Sequence, residues 1–261
     1  LMELPVSGGF EKVGGYSEDA NQGINYLNRI WQTHDEVVND FSDDSQFGRF
    51  EYPPVIHAAI KNPKVKTFQM LSTQHGKLEG GKSYIPGLAP SNNRGYSVEV
   101  LGPVIEEDSN GDKRLRKISG YGKTKNGHSV LLRLNYNKFN IFFGGDLNTP
   151  AEKFLIQKYT GQDKLPNGPG PLYDAVVAKA RERFRSEIMK TCHHGATDVT
   201  DLFLDSVNPA CFVISSGDQE NHVHPRPDLL GRLGRFGRGE SPVLLSTELQ
   251  RSTREFESEE D

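Results

Sequence analysis

Three short segments carry residue types that bind metal ions or move protons, and each closes an apolar run. The first is Gly144-Gly145-Asp146, at the end of NIFFGGD. A carboxylate placed directly after a buried strand reaches a site without a long loop, and Asp is a hard oxygen ligand able to bridge two metals. The same residue equally begins a turn or caps the helix that follows. The second is His193-His194-Gly195, after IMKTC. Imidazole is a common metal ligand, and the glycine lets the backbone turn sharply. Adjacent loop histidines point different ways, so one is expected against an ion and the other to orient it or touch substrate. Two polar loop residues are the plainer reading. Cys192 could also bind metal, but at the end of a strand it reads as a buried thiol. The third is Asn221-His222-Val223-His224-Pro225, after ACFVISSG. In extended chain a spacing of two puts His222 and His224 on one side. That suits metal or phosphate contacts, and it equally suits a solvated His-rich loop.

Such segments need elements that bring them together, and strand ends are where open α/β architectures gather ligands. The clearest pattern follows residue 96. YSVEVLGPV reads as a strand ended by Gly102-Pro103, and EEDSNGDKRLRK as a polar excursion with a hairpin tip at Asn110-Gly111. SVLLRLNY and FNIFFGG read as two strands joined by Asn137-Lys138, a connection short enough to demand an antiparallel hairpin. Both are too apolar for a one-sided surface sheet, so they belong inside a layered structure. A helix is predicted from Thr149, with Thr149 as its cap and Pro150 in its first turn. After a Pro/Gly loop over 161–172, residues 173–186 read as a basic helix. The remainder alternates strand and helix: IMKTC, TDVTDLFLDSV, ACFVISS, RPDLLGRLGRF and PVLLS.

Before residue 96 the pattern is weaker. Ile24, Leu27, Ile30, Trp31, Val37 and Val38 recur at roughly helical spacing and predict one amphipathic helix from 21 to about 41. A short helix is expected over 55–60, a strand over 65–70 and a long loop over 72–95.

Composition narrows the class. With 27 Gly and 15 Pro in 261 residues, the chain is loop-rich and not a helical bundle, and a single α/β domain fits it. The net charge of −4 excludes a protein coated in basic surface. A nucleic-acid partner would need a local patch. Lys113, Arg114, Arg116, Lys117, Lys123 and Lys125 supply one candidate, read equally as a solvated hairpin. Cys192 and Cys211 make no disulfide framework, and a reducing, cytoplasmic setting is expected. No apolar run approaches the roughly 20 residues that cross a bilayer. The N-terminus, LMELPVSGGFEK, lacks the segments of a signal peptide and does not open on methionine, so a fragment is expected.

Taken in order, strand–Gly-Asp–helix, strand–His-His-Gly–helix and strand–His-Pro–helix over residues 96–250 resemble the second half of the metallo-β-lactamase domain in ComEC-like DNA-uptake proteins. That family has an extended Leu-Gly-Pro segment before an Asn-x-x-Ser strand start, here Leu101-Gly102-Pro103 and Asn126 with Ser129. Its Gly-Asp and helix glutamate match Gly145-Asp146 and Glu152, and its His-His-Gly matches His193, His194 and Gly195. Its serine-rich strand end and Asn…His-Pro match Ser215, Ser216, Asn221 and His224-Pro225.

The resemblance implies the C-terminal two-thirds of an αββα sandwich, an α/β fold. Residues 1–95 would be an irregular, helical part of the same domain and residues 251–261 an acidic tail. It implies Asp146 and one of His193 and His194 as metal ligands. Asp146, His194 and His224 would form the reacting set, with Thr197, Asn221 and His222 against substrate. The implied metal is zinc, as two ions about 3.5–4 Å apart, or manganese where carboxylates dominate. The implied reaction is hydrolysis of a phosphodiester, DNA included, by a metal-bound hydroxide whose pKa falls toward roughly 7. A small phosphoester, thioester or lactone is the alternative substrate. A metal-free binding module on the same fold is the alternative class.

Two departures stand out. The family often has Ser after His-His-Gly where this chain has Ala196, which leaves Thr197 or Thr200 to replace a phosphate contact. The family's first motif, His-x-His-x-Asp-His or a reduced form, is missing. His34-Asp35 lies in the predicted helix with the wrong spacing, and His57 and His75 have no ligand-like neighbours. Either residues 1–95 follow that motif or the chain has lost it, and only part of a two-metal ligand set is expected.

Overall fold

Turn and capping residues, more than apolar spacing, set the elements before residue 96. The computed structural model describes residues 9–43, 52–217 and 224–247, so the acidic tail, Asn221 and His222 lie outside the described residues. The helix predicted from residue 21 is replaced by a ribbon of β1 (Tyr16–Asp19) and β2 (Ile24–Leu27), antiparallel with Asp19 opposite Ile24. Asn21-Gln22-Gly23 supplies the turn, with Gly23 at positive φ. The helix α1 (His34–Phe41) starts only where Thr33 and Glu36 form a capping box, the Glu36 carboxylate accepting from the Thr33 N–H at 2.8 Å. The expected second helix is α2 (Tyr52–Lys61). Residues 65–70 form no strand; Phe68 instead stacks on His34 at 5.7 Å between ring centroids. The expected long loop contains the hairpin β3 (Lys77–Glu79) and β4 (Lys82–Tyr84), turned by Gly80-Gly81, both at positive φ.

Beyond residue 95 expectation and structure agree closely. Strand β5 (Tyr96–Gly102) precedes the small hairpin β6 (Glu106–Glu107) and β7 (Lys113–Arg114), with Asn110-Gly111 between them. A short helix α3 (Tyr121–Gly127), not foreseen, leads into β8 (Leu131–Tyr136). Strand β9 (Phe139–Phe143) follows across Asn137-Lys138 and pairs antiparallel with β8, Tyr136 opposite Phe139, as the short connection demanded. Helix α4 (Thr149–Thr160) is capped not by Thr149 but by Asn148, whose side chain accepts from the Ala151 N–H. Then come α5 (Pro171–Phe184), β10 (Ile188–Lys190), α6 (Asp201–Val207), β11 (Cys211–Ile214), α7 (Pro227–Phe236) and β12 (Val243–Ser246).

These strands form one mixed eight-stranded sheet in the order β12-β11-β10-β9-β8-β5-β4-β3. It is antiparallel from β3 to β9 and parallel from β9 to β12, the parallel strands being linked by helices. The fold is therefore α/β. No helix among the described residues is long and apolar enough to cross a membrane.

The helices cover one face of the sheet. Phe142, Met189 and Phe212 lie in register on β9, β10 and β11 and are fully buried beneath residues such as Ile156, Val176, Phe184 and Phe203. The Phe142 ring meets Phe184 at 6.3 Å and Phe203 at 5.8 Å between centroids, both edge-to-face. The same face buries Glu99, ion-paired with Arg183 at 2.8 Å and Arg133 at 3.0 Å. Alternate residues point the other way, and there Tyr136, Phe139 and Leu245 are 53%, 43% and 53% exposed. From β8 to β12 this second face is apolar and open among the described residues, although parallel strands are ordinarily covered on both sides; at β5, Val98 and Val100 on the same face are buried.

Phe142→Ala should therefore lower stability by about 3–5 kcal/mol. Phe139→Ala, on the open face, should cost about 1 kcal/mol or less through its lost cross-strand partner. Urea denaturation of both variants checks this, and equal losses would contradict the one-sided core.

Candidate functional site

Parallel strands end at the same edge of a sheet, and β9, β10 and β11 are adjacent parallel neighbours. The Gly-Asp and His-His-Gly segments leave the carboxyl ends of β9 and β10, beside the end of β11, where α/β sheets place ligands; of the third segment, His224 and Pro225 lie within the described residues. Close packing of the first two depends on Gly144 and Gly145. A Cβ on Gly144 would lie 2.5 Å from the Cys192 Sγ, and one on Gly145 would lie 2.6 Å from the Ser129 Cβ; Gly145 also has φ +52°. Only glycine meets both demands cheaply.

The turn after β9 is gripped from several sides. The Asp146 N–H donates to the Ser129 Oγ at 3.0 Å, and that hydroxyl donates to the Asn126 carbonyl at 2.7 Å. The Gly145 carbonyl accepts from the His193 N–H at 2.9 Å and from the Lys190 ammonium at 3.3 Å. His193, His194 and Gly195 follow one another at positive φ of 46°, 54° and 91°. For two non-glycine residues in succession this is strained backbone, of a kind that persists where surroundings enforce it. Gly195 is held beneath Pro225, whose Cβ would lie 2.9 Å from an added Cβ there, and its carbonyl accepts from the Arg226 N–H at 3.0 Å.

That backbone brings Asp146 and His194 together, the His194 Nε2 standing 3.3 Å from the Asp146 Oδ1, with both side chains more than one-third exposed. The His194 Nδ1 lies 2.7 Å from the Ser215 carbonyl oxygen. His193 and His224 form a second pair, their ring centroids 5.8 Å apart. The His193 Nδ1 is buried and has no hydrogen-bond partner among the described residues. Among those residues, no three His, Cys, Asp or Glu side chains are grouped to hold one ion. Asn221 and His222 lie outside the described residues. Thr197 is exposed on the following loop, its carbonyl held by Arg232 at 3.3 Å.

Other candidates turn out to be structural. The Thr200 hydroxyl accepts from the Phe203 N–H at 3.1 Å and caps α6. Cys192 is the expected buried thiol, its pKa pushed well up by burial. Glu152 is fully buried under the 196–200 loop and accepts from the Thr200 N–H at 2.6 Å. His34 accepts from the Phe68 N–H at 3.2 Å, His57 meets the Phe41 carbonyl at 2.9 Å, and His75 bonds Ser72 and Gln32. The basic stretch is largely paired. Arg114 meets Asp108 at 3.0 Å, Arg116 meets Glu106 at 2.7 Å and Lys123 meets Asp198 at 3.2 Å. The Lys117 ammonium sits 3.6 Å from the Tyr16 ring centroid. Three of the six basic residues, Arg114, Arg116 and Lys123, thus meet carboxylates.

A cleft of about 930 Å³ lies on the helical side, lined by Lys153, Tyr173, Asp201 and Phe236 among others. Its Asp201 is paired with Arg232 at 2.6 Å, and none of the three histidine-bearing or Gly-Asp turn residues lines it. The strand-end cluster, not the roomier cleft, holds the unusual chemistry. Sequence reading missed the Ser215 carbonyl and Lys190. A lysine within the apolar run IMKTC was the available signal for the latter. Comparison with protein-family models and with curated proteins returns no match.

Burial raises the Glu152 pKa from 4.5 to about 8, so across that window the folded chain retains a proton that the unfolded chain releases. Stability from this group is full below about 4.5 and is lost as pH rises through about 8. Glu152→Gln, which keeps an acceptor for Thr200, should flatten the decline. Urea midpoints measured across the window check it, and an unchanged slope would contradict it.

Proposed function

We propose that the chain is a metal-dependent hydrolase of the metallo-β-lactamase type, acting on phosphodiesters, with its sheet as one layer of an αββα sandwich. One contact carries this reading. A carbonyl oxygen can only accept, so the bond to Ser215 puts the His194 proton on Nδ1. The Nε2 lone pair then faces a carboxylate oxygen 3.3 Å away. Two acceptors at that distance repel each other unless a cation, either a second proton or a metal ion, satisfies both.

The donor chemistry fits a metal. A hard carboxylate oxygen beside imidazole nitrogens suits zinc and admits manganese. Asp146 and His194 would hold the ion, and His193 and His224 form a further pair of imidazoles. Bound there, the ion would supply Lewis acidity and lower the pKa of water to roughly 7.

The chain's own residues do the remaining work. The Ser215 carbonyl fixes the tautomer and plane of the His194 ring, the usual task of a group behind a metal ligand. Ser129 sets the backbone that aims Asp146. In this reading His224 would hold a proton or a phosphoryl oxygen, and Thr197 would offer an exposed hydroxyl to substrate. The open apolar face of the sheet supports a second layer packed against it, as sandwich architectures require.

Zinc or manganese should give the 261-residue chain slow hydrolysis of bis(p-nitrophenyl) phosphate and of a short single-stranded oligonucleotide. Chelation should abolish it. Asp146→Ala should remove both metal uptake and activity while leaving the unfolding midpoint in place. Hydrolysis indifferent to chelation, or full activity in Asp146→Ala, would contradict the reading. A folded chain that takes up no metal and cleaves nothing would point to a binding module.

A further inference from the structure

On the open face of the sheet, from β8 to β12, one strand residue is charged. Directly paired residues share a face, and the register places Leu132 with Phe143, Leu134 with Ile141 and Tyr136 with Phe139. Ile188 stands beside Ile141 and Cys211, and Val213 beside Leu245. Lys190, between Phe143 and Val213, is the exception. An apolar face offers an ammonium few protein acceptors. The Lys190 Nζ has three donors, and its one acceptor is the Gly145 carbonyl at 3.3 Å. Among the described residues no carboxylate pairs with it.

Its position supplies a use. Lys190 is the last residue of the strand that leads into His193 and His194. The carbonyl it touches belongs to the residue before Asp146 and also accepts from the His193 N–H. The ammonium therefore stands one peptide unit from the Asp146–His194 pair, on the sheet's open side.

We infer that Lys190 is an anion-binding residue, taking a non-bridging phosphoryl oxygen of the ligand at the strand-end site. The ligand's identity as a hydrolysable diester rests on the function proposed above; the anion site itself does not. A point-charge ammonium suits a phosphate oxygen without demanding a planar, two-pronged fit. Lys190 also supplies a local cation that the paired stretch at 113–125 does not.

The experiment is a phosphorus-31 NMR titration of the metal-free chain with inorganic phosphate, and then with a short oligothymidylate, at several salt concentrations. Lys190→Met keeps the aliphatic stem and removes the charge. It should weaken phosphate binding about tenfold, as expected for one charge-assisted hydrogen bond, and lower the salt dependence by about one released ion. Lys190→Arg should restore most of the affinity. A purely structural lysine would instead lower the unfolding midpoint and leave phosphate affinity untouched. In the unaltered chain phosphate must also shift the nitrogen-15 resonance of the Lys190 ammonium, a readout that survives a misfolded variant. No shift, or equal affinity in Lys190→Met, overturns the inference. If phosphate binds through Lys190 but hydrolysis proves indifferent to chelation, the anion site stands and the metal reading falls.

Discussion

The parallel pairing of β9, β10 and β11 is the constraint on which the rest of the site depends. Three strands that run the same way as neighbours must end together, and each here ends on polar residues capable of chemistry. The pairing is secured from below by Phe142, Met189 and Phe212, which interlock with the helices on one face. The turns are then fitted to one another at distances only glycine allows, with Gly144 against Cys192, Gly145 against Ser129 and Gly195 against Pro225. Rigid elements thus hold the loops, and the loops hold the side chains.

The local conflicts in this region have a common physical meaning. Two consecutive histidines sit in left-handed backbone, a buried imidazole nitrogen of His193 has no partner among the described residues, and a neutral His194 would turn a lone pair toward a carboxylate. Each is unfavourable in isolation. A cation shared by Asp146 and His194 would turn the last of these from repulsion into attraction, and a second one near His193 and His224 would use the buried nitrogen. Functional sites are where such local costs collect. His34 and His75, by contrast, have ordinary hydrogen-bond partners within the fold.

Much of the half after residue 96 was legible in the sequence because its signals are local and agree. The two-residue connection at Asn137-Lys138 dictates a hairpin, and alternating strand and helix patterns after residue 149 dictate parallel strands with crossovers. The adjacency of Asp146 and His194 was legible only as an expectation, since sheet order is fixed by packing and not by period. Before residue 96 apolar spacing misled. Ile24 and Leu27 fit a helical period, but Asn21-Gln22-Gly23 makes a turn and the helix capped by Thr33 starts only at His34, not at the predicted 21. Gly80-Gly81 was a readable hairpin signal that the surrounding Gly, Pro and Ser obscured. The carboxylate partners of the basic stretch, such as Glu106 and Asp198, were not legible because they are distant or offset in sequence and meet it only in the fold.

The central claim is that a metal ion, not a second proton, lies between His194 and Asp146. Nitrogen-15 NMR of the His194 ring during a zinc titration tests it most directly. Zinc should move the Nε2 resonance to that of a metal-bound nitrogen and leave the Nδ1 protonated on Ser215, and Asp146→Ala should abolish the change. A His194 ring that carries protons on both nitrogens and ignores zinc would mean a plain ion pair, and the claim would be wrong.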